Sequence, residues 1–210
     1  MTLSGDQRDA LTELVNIAFS RTAAALSDLT SNRVELSVPE VSSQPVRELE
    51  AVLSRFVRGE VATVHQIFGG PVSGDAFLMF DLEGAAKLVG LLSDGHAPTR
   101  QMGASDREVL GEVGNVLLNA CLGVFGDLLQ VRFTFAVPRL QLESLGSMLA
   151  SLLVERDEIR HALVVGTRFA IRQSDVTGCM VLVLGVTSLE RFMAAVDTWA
   201  ERTAVGGDGR

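Results

Sequence analysis

The fold is decided by two stretches of the chain that align without a gap. Residues 9–39 read DALTELVNIAFSRTAAALSDLTSNRVELSVP, and residues 108–138 read EVLGEVGNVLLNACLGVFGDLLQVRFTFAVP. At one offset of 99 residues the identical pairs include Leu11 and Leu110, Glu13 and Glu112, Asn16 and Asn115, Asp28 and Asp127, Leu29 and Leu128, Val38 and Val137, and Pro39 and Pro138. The sequence therefore contains an internal duplication, with one copy in each half of the chain.

Each copy predicts a long amphipathic helix. At about 100° per residue, apolar side chains form one stripe in each copy: Leu11, Leu14, Val15, Ala18, Thr22, Ala25, Leu26 and Leu29 in the first, and Leu110, Val113, Leu117, Cys121, Val124 and Leu128 in the second. Ser4 and Ser105 are the predicted N-caps, because each has Gln or Glu three residues later. The same Glu and Asn fall on the solvent side of both helices.

An alternating apolar pattern follows each helix and predicts a strand that ends at Pro39 or Pro138. Proline cannot donate a hydrogen bond to a neighbouring strand, so each of these strands lies at an edge of the sheet or ends there. The remaining patterns predict strands over 61–68, 75–80, 151–154, 163–172 and 179–186, a turn over 173–178, and helices over 45–56, 82–92 and 189–200.

Both halves thus have the order helix, strand, hairpin, helix. The predicted fold class is α+β: a single domain of two pseudo-symmetric repeats, whose long helices pack on a shared, mostly antiparallel sheet. The domain spans residues 1–205, with repeats at about 4–94 and 104–202, and residues 206–210 form a flexible tail. Residues 95–103 are the seam between repeats, and neither half is large enough to be stable alone.

Composition excludes several classes of function. The 210 residues are 47% hydrophobic and carry a formal net charge of −8, which favours a globular protein and argues against binding to nucleic acid. The two cysteines lie apart in apolar runs without a metal-ligand spacing, so neither a disulfide nor a zinc site is predicted. No leader peptide or membrane-spanning run is apparent in the pattern, and we expect a monomeric, cytoplasmic protein.

Glu and Asn three residues apart share one helix face, and a single such pair is typical of any solvated helix. Its recurrence in matched context, followed after 22 residues by Pro in both halves, indicates a function. This repeated pattern resembles the CheC family of bacterial chemotaxis phosphatases, which includes CheX and part of FliY. The resemblance covers nearly the whole chain, and the two complete motifs resemble the CheC branch of that family. Further similar segments are residues 37–41, 70–75 and 112–115.

The resemblance implies a phosphatase that hydrolyses the aspartyl phosphate of a CheY-type response-regulator receiver domain. Asn16 and Asn115 are the implied catalytic residues that hold the attacking water, since a carboxamide both accepts and donates hydrogen bonds. Glu13 and Glu112 are implied to pair with the receiver's phosphate-contacting lysine. No cofactor or metal is expected on this chain, because the Mg²⁺ belongs to the phosphorylated receiver.

The two copies differ around their motifs. The family's motif usually begins with Asp or Ser four residues before the Glu; Asp9 matches this pattern and Glu108 departs from it. The first copy has Val15 before its Asn, whereas the second has Gly114. We expect the smaller residue to admit a docked partner more closely, which favours Asn115 as the stronger site. Asn119 and Ser20, one turn past the motif Asn residues, are candidates for contact with the partner, but their interpretation as solvated surface residues is favoured. Cys121 is interpreted as an inert buried thiol.

A second interpretation makes the same fold a binding module. Such a module would sequester phosphorylated receivers or regulate a CheD-type receptor deamidase, a partner that the family resemblance also implies.

Overall fold

The two halves of the chain form the same series of helices and strands. The computed structural model describes residues 3–30, 33–37, 39–92, 102–154, 160–171 and 174–207. The first half contains α1 (Gly5–Thr30), β1 (Val34–Leu36), β2 (Glu40–Pro45), a 3-10 turn (Val46–Glu48), α2 (Leu49–Leu53), β3 (Glu60–Gly69), β4 (Gly74–Asp81) and α3 (Leu82–Leu92). The second half contains α4 (Ala104–Leu129), β5 (Thr134–Phe135), β6 (Arg139–Ser144), α5 (Leu145–Val154), β7 (Arg160–Ile171), β8 (Ser174–Gly185) and α6 (Val186–Gly207).

The sheet is symmetric about its two central strands, β4 and β8. Its order is β1-β7-β8-β4-β3-β5, with β2 also on β7 and β6 also on β3, and all of these pairings are antiparallel. Each half therefore places its first strands on the hairpin of the other half. This exchange, together with the matching element order, gives a pseudo-two-fold arrangement. The predicted α+β fold with a shared antiparallel sheet is confirmed.

The motif prolines lie at the two edges of this sheet, as predicted. Pro39 separates β1 from β2, and Pro138 lies between β5 and β6. On the second edge, Phe135 pairs with Phe68 and Arg139 pairs with His65. Between these pairs, the three residues 136–138 of the outer strand face the two residues 66–67 of β3. The extra residue forms a bulge over 136–138. A proline fits there because no ladder hydrogen bond from its nitrogen is needed.

The sheet is covered by helices on both faces. The larger core lies between one face and α1, α3, α4 and α6, and it contains Phe80, Phe125 and Phe192 among its buried side chains. The smaller core lies on the other face, beneath α2, α5 and the 3-10 turn. Because α1 and α4 also pack against each other, the two motif helices lie side by side on one face of the molecule.

The motif helices match the predicted duplication closely. Each is 26 residues long, and α4 starts and ends 99 residues after α1. The predicted cap at Ser4 is confirmed: its hydroxyl accepts a hydrogen bond from the Gln7 backbone, and the Gln7 side chain accepts one from the Ser4 backbone. The predicted cap at Ser105 is wrong, because α4 begins earlier and its N-cap is Gly103, whose backbone N–H donates to Asp106.

Three local predictions are corrected. Residues 151–154 belong to helix α5 instead of a strand, because Leu145, Met148, Leu149 and Leu152 are buried at helical spacing and Ser144 accepts a hydrogen bond from the Ser147 backbone. The predicted turn at 173–178 is shorter, since β8 begins at Ser174. Helix α6 continues to Gly207, two residues past the predicted end of the domain at residue 205. The repeat boundaries remain a prediction, and residues 95–101, Val38, Arg172, Gln173 and 208–210 lie outside the described residues.

Helix α4 is also the one helix in the described part of the chain that is long and apolar enough to cross a membrane. The sequence pattern suggested no such helix. Half of its most apolar window is buried inside the fold, where it packs on α1 and β3. Its apolar character is thus accounted for by its position in the larger core, and the cytoplasmic location remains a prediction.

Candidate functional site

The first motif lies on the outer surface of α1. Glu13 and Asn16 are both exposed, and the neighbouring Leu14 and Val15 are buried in the larger core. The hydroxyl of Ser20, one turn later, donates to the backbone oxygen of Asn16 at 2.8 Å. The Ser20 contact therefore involves the backbone of Asn16 and does not orient its amide group.

The second motif has different surroundings. Glu112 is exposed like Glu13, but Asn115 is only partly exposed. The Asn115 Oδ1 atom accepts a hydrogen bond from Asn119 Nδ2. In turn, Asn119 Oδ1 accepts a hydrogen bond of 3.0 Å from Gln66 Nε2 on β3. The second motif Asn is thus the outer end of a chain of side-chain amides that begins beneath α4.

The inner end of this chain is attached to the strand edge. Gln66 Nε2 also donates to the backbone oxygen of Ala136 at 3.1 Å, within the bulge that ends at Pro138. The backbone N–H of Ala136 donates to the oxygen of Ile67 at 2.9 Å. The bulge, β3 and the second motif are therefore joined by hydrogen bonds, and Pro138 has a structural position two residues from the carbonyl involved.

The proline of the first copy takes a similar place, and the described residues around it show no chain of side-chain amides. Pro39 is buried at the opposite edge of the sheet, and Pro138 is partly exposed. The position on β7 that corresponds to Gln66 at the offset of 99 residues is Val165, which is fully buried in the larger core. The hydrogen-bonded amides thus belong to the second copy.

Gly114 does not face a partner, which corrects the expectation that it admits one. It is buried, and a Cβ atom at this position would lie 2.5 Å from Cγ2 of Val64 on β3. The bulky residues of the first copy, Val15 and Phe19, are likewise buried, so they do not obstruct the outer face. Gly114 instead allows α4 to approach β3, which brings Asn119 within hydrogen-bonding distance of Gln66.

A groove of about 530 Å³ lies at the C-terminal end of α4. It is lined by Gly123, Gly126, Asp127, Gln130, Val131, Arg132, Phe133 and Phe135. Beside it, the chain neighbours of Ala136 present apolar surface to solvent: Phe135 is 40% exposed and Val137 is 85% exposed. Phe135 and Val137 thus form an exposed apolar surface at the strand edge of the second half.

Both cysteine thiols are buried and inaccessible to solvent. Burial raises the pKa of the Cys121 thiol far above its usual range and raises that of Cys179 to about 12, so both are protonated at neutral pH. This agrees with the interpretation of Cys121 as inert. No group of three or more His, Cys, Asp or Glu that could hold a metal occurs in the described ranges; the metal-free state of the chain remains a prediction.

Gln66 is the residue of this site that sequence analysis missed. It has a weak signal, because it is an amide within the apolar strand pattern Glu60–Gly69. Asn119 was interpreted as a solvated surface residue, but its side chain is held between Gln66 and Asn115. Its position four residues after Asn115, on the same helix face, could have indicated the contact.

Comparison with known proteins gives three kinds of match. The model of the CheC-like family matches residues 7–43, which include the whole first motif. The chain is 24% identical over 200 residues to the CheY-P phosphatase CheC of Bacillus subtilis (strain 168), covering 91% of this chain and 94% of that protein.

Solved structures share the fold at low sequence identity. FliY of Thermotoga maritima aligns with a TM-score of 0.73 and 17% identity, covering 95% of this chain and all of that one. The FliG–FliM complex from H. pylori contains a chain that aligns with a TM-score of 0.65 and 15% identity, covering 91% of this chain and all of that one. The duplicated motif, the family match and these relatives together confirm the resemblance to the CheC-like family that the sequence predicts.

Proposed function

We propose that this protein is a chemotaxis phosphatase that hydrolyses the aspartyl phosphate of a CheY-type receiver domain. The observation that supports this most directly is a pair of side chains, Glu and Asn one helical turn apart, that occurs on both motif helices. Each pair lies on the outer face of its helix, and the helices α1 and α4 are adjacent. A protein substrate can reach such an open surface, whereas a small substrate would need an enclosing pocket. The similarity to a CheY-P phosphatase supports the same function.

The chemistry required of this chain is limited. An acyl phosphate is already activated, and the receiver supplies the Mg²⁺ that neutralises charge on the phosphoryl group. The phosphatase must place a water molecule in line with the bond that breaks. Asn16 or Asn115 can do this by accepting a hydrogen bond from the water through Oδ1 while Nδ2 donates to the receiver. Holding the water is catalysis by positioning, which lowers the entropic part of the barrier.

The Glu residues serve docking better than proton transfer. Glu13 and Glu112 are exposed, and an exposed carboxylate remains ionised at neutral pH and is a weak general base. A carboxylate one turn from the Asn is well placed to pair with a lysine of the receiver. Such a pair fixes the orientation in which the Asn enters the receiver's active site.

The experiment follows decay of a phosphorylated receiver with catalytic amounts of this protein. A phosphatase at one-twentieth of the receiver concentration should speed the loss of phosphate many times over. A sequestering module should slow the loss or leave it unchanged, which would overturn the proposal. Removing Mg²⁺ with EDTA should abolish the accelerated loss, because the metal is part of the substrate.

A binding function is the second candidate. The fold similarity to FliM in a complex with FliG favours it, since that domain is seen in an assembly. The exposed apolar surface at Phe135 and Val137 is also suited to contact another protein. In this case the partner is a receiver or a CheD-type deamidase, and the decay assay distinguishes the two functions.

A further inference from the structure

We propose that Gln66 and Asn119 are positioning residues that fix the amide orientation of Asn115, and that the second site is therefore preorganised while the first is not. The inference rests on the proposed phosphatase function and extends it to two residues outside the repeated motif. It follows from the order of donors and acceptors between β3 and the surface of α4.

The orientation is set by a backbone group that can only accept. The Ala136 carbonyl lies 3.1 Å from Gln66, so the amide nitrogen of Gln66 must face it. The other N–H of that nitrogen donates to Asn119 at 3.0 Å, which therefore presents its oxygen to Gln66 and its nitrogen to Asn115. Asn115 must then present its oxygen to Asn119. One carbonyl thus determines the direction of three successive amides.

The inner end of this chain has little freedom to reorient. Gln66 is only 1% exposed, and a flip of its amide would place oxygen against the Ala136 carbonyl and lose both donated hydrogen bonds. Its own Oε1 atom is buried without a hydrogen-bond partner. The missing hydrogen bond to Oε1 is tolerated because the Nε2 atom of the same side chain donates both of its hydrogen bonds. The bulge holds the carbonyl through the Ala136 to Ile67 hydrogen bond.

The outer end presents Asn115 in one orientation. Its oxygen uses one lone pair for Asn119 and retains the other for a water molecule. In the described residues no acceptor bonds to its Nδ2 atom, so both N–H groups are available to a docked receiver. The amide is thus oriented before the substrate arrives, and no reorientation is needed in the reaction.

Among the residues that the structure describes, the first site lacks both supporting amides of this arrangement. Val165 occupies the position of Gln66, and Ser20 occupies that of Asn119 and bonds to the backbone instead of the amide. Asn16 is exposed, so its amide must be ordered when the receiver docks, at an entropic cost. We therefore expect turnover at the second site to exceed that at the first.

The test transfers the residues of the first copy into the second. Gln66→Val and Asn119→Ser are made in an Asn16→Ala background, in which only the second site can act. Each should lower kcat for phospho-receiver hydrolysis about tenfold, since one lost hydrogen bond in positioning corresponds to roughly that factor. KM should change less than twofold, because the docking surface is retained. The control Gln141→Val makes the same chemical change on the exposed side of β6 and should not alter kcat.

A second background separates positioning from general damage. In an Asn115→Ala protein, where only Asn16 can act, the loss caused by Gln66→Val should be absent. An equal loss in both backgrounds would assign Gln66 a merely structural role and overturn the proposal. An unchanged kcat in the Asn16→Ala background would overturn it as well.

A measurement that does not depend on enzymatic activity tests the inference separately from the proposed function. In ¹H–¹⁵N NMR spectra, Gln66→Val should shift the side-chain amide signals of Asn119 and Asn115 and leave that of Asn16 unchanged. Unshifted Asn115 signals would contradict the hydrogen-bonded orientation. If the unmodified protein is inactive while these shifts occur, the phosphatase function and the kinetic part of the inference fail, but the orientation is upheld.

Discussion

Gly114 of α4 lies directly against Val64 of β3, so close that a Cβ on the glycine would be 2.5 Å from Val64 Cγ2 and 2.8 Å from its Cβ. Val64 is 1% exposed and its branched side chain is packed in the larger core, so it cannot move aside easily. The glycine therefore sets the distance between the motif helix and the strand that carries Gln66.

Gly114→Ala should destabilise the protein by about 1–3 kcal/mol, the usual cost of overpacking a core. Gly111→Ala is the matched control on the same helix, because a Cβ there meets nothing within 4 Å. This change should stabilise by about 0.5–1 kcal/mol through helix propensity. Urea unfolding of both variants measures the difference. Equal effects of the two substitutions would contradict the close approach at Gly114.

Replacing the motif Asn residues should separate the two sites. With either single substitution, Asn16→Ala or Asn115→Ala, the other site should remain active. The double substitution should remove nearly all phospho-receiver hydrolysis. The effects on the free energy of unfolding should differ. Replacing the exposed Asn16 should change it by no more than about 0.5 kcal/mol. Replacing Asn115 should lower it by about 1 kcal/mol, because Asn119 then loses its hydrogen-bond acceptor. A fully active double variant would refute the proposed mechanism.

The Glu residues should act through binding. Glu13→Gln with Glu112→Gln keeps the shape of the exposed side chains but removes their charge, so KM for the phospho-receiver should rise with a smaller change in kcat. Raising the salt concentration should have the same effect on the unmodified protein and little on the variant. A large fall in kcat at unchanged KM would instead assign these carboxylates to the chemical step.

The exchange of strands predicts that neither half folds alone. A fragment of residues 1–97 has β1 and β2 without β7, on which they pair. It should show no cooperative thermal transition, and co-expression with residues 98–210 should restore a one-to-one complex. Circular dichroism and size-exclusion chromatography measure both outcomes. Independent, monomeric folding of either fragment would contradict the interdependence of the halves.

His161 predicts a pH dependence of stability. It is buried on β7 with Nδ1 unpartnered, and loss of solvation lowers its pKa below the ordinary 6.5. The unfolded chain therefore binds the proton more readily, so the free energy of unfolding should decrease as the pH falls below 6.5. His161→Gln should reduce this dependence between pH 7 and 5, measured by urea unfolding. Parallel curves for the two proteins would exclude His161 as the cause.

Much of the fold could be predicted from the sequence because its signals are local and repeated. The matched stretches 9–39 and 108–138 indicate both the duplication and the helical period. The period alone predicts which side of a helix is buried. Exposure of Glu13, Asn16 and Glu112 follows from the same period. The prolines similarly indicated the sheet edges, since the lack of an N–H is a property of the residue itself.

The tertiary structure decided what depends on contacts between distant residues. Strand exchange between the halves, the orientation of Gly114 toward Val64 and the link from Ala136 through Gln66 to Asn115 join segments that are 50 or more residues apart in the chain. No local period encodes such contacts. The two copies of the motif look nearly equal in sequence, but Asn16 is exposed to solvent and Asn115 is held by a hydrogen bond from Asn119. The difference arises because hydrogen bonding depends on which strand lies beneath each helix.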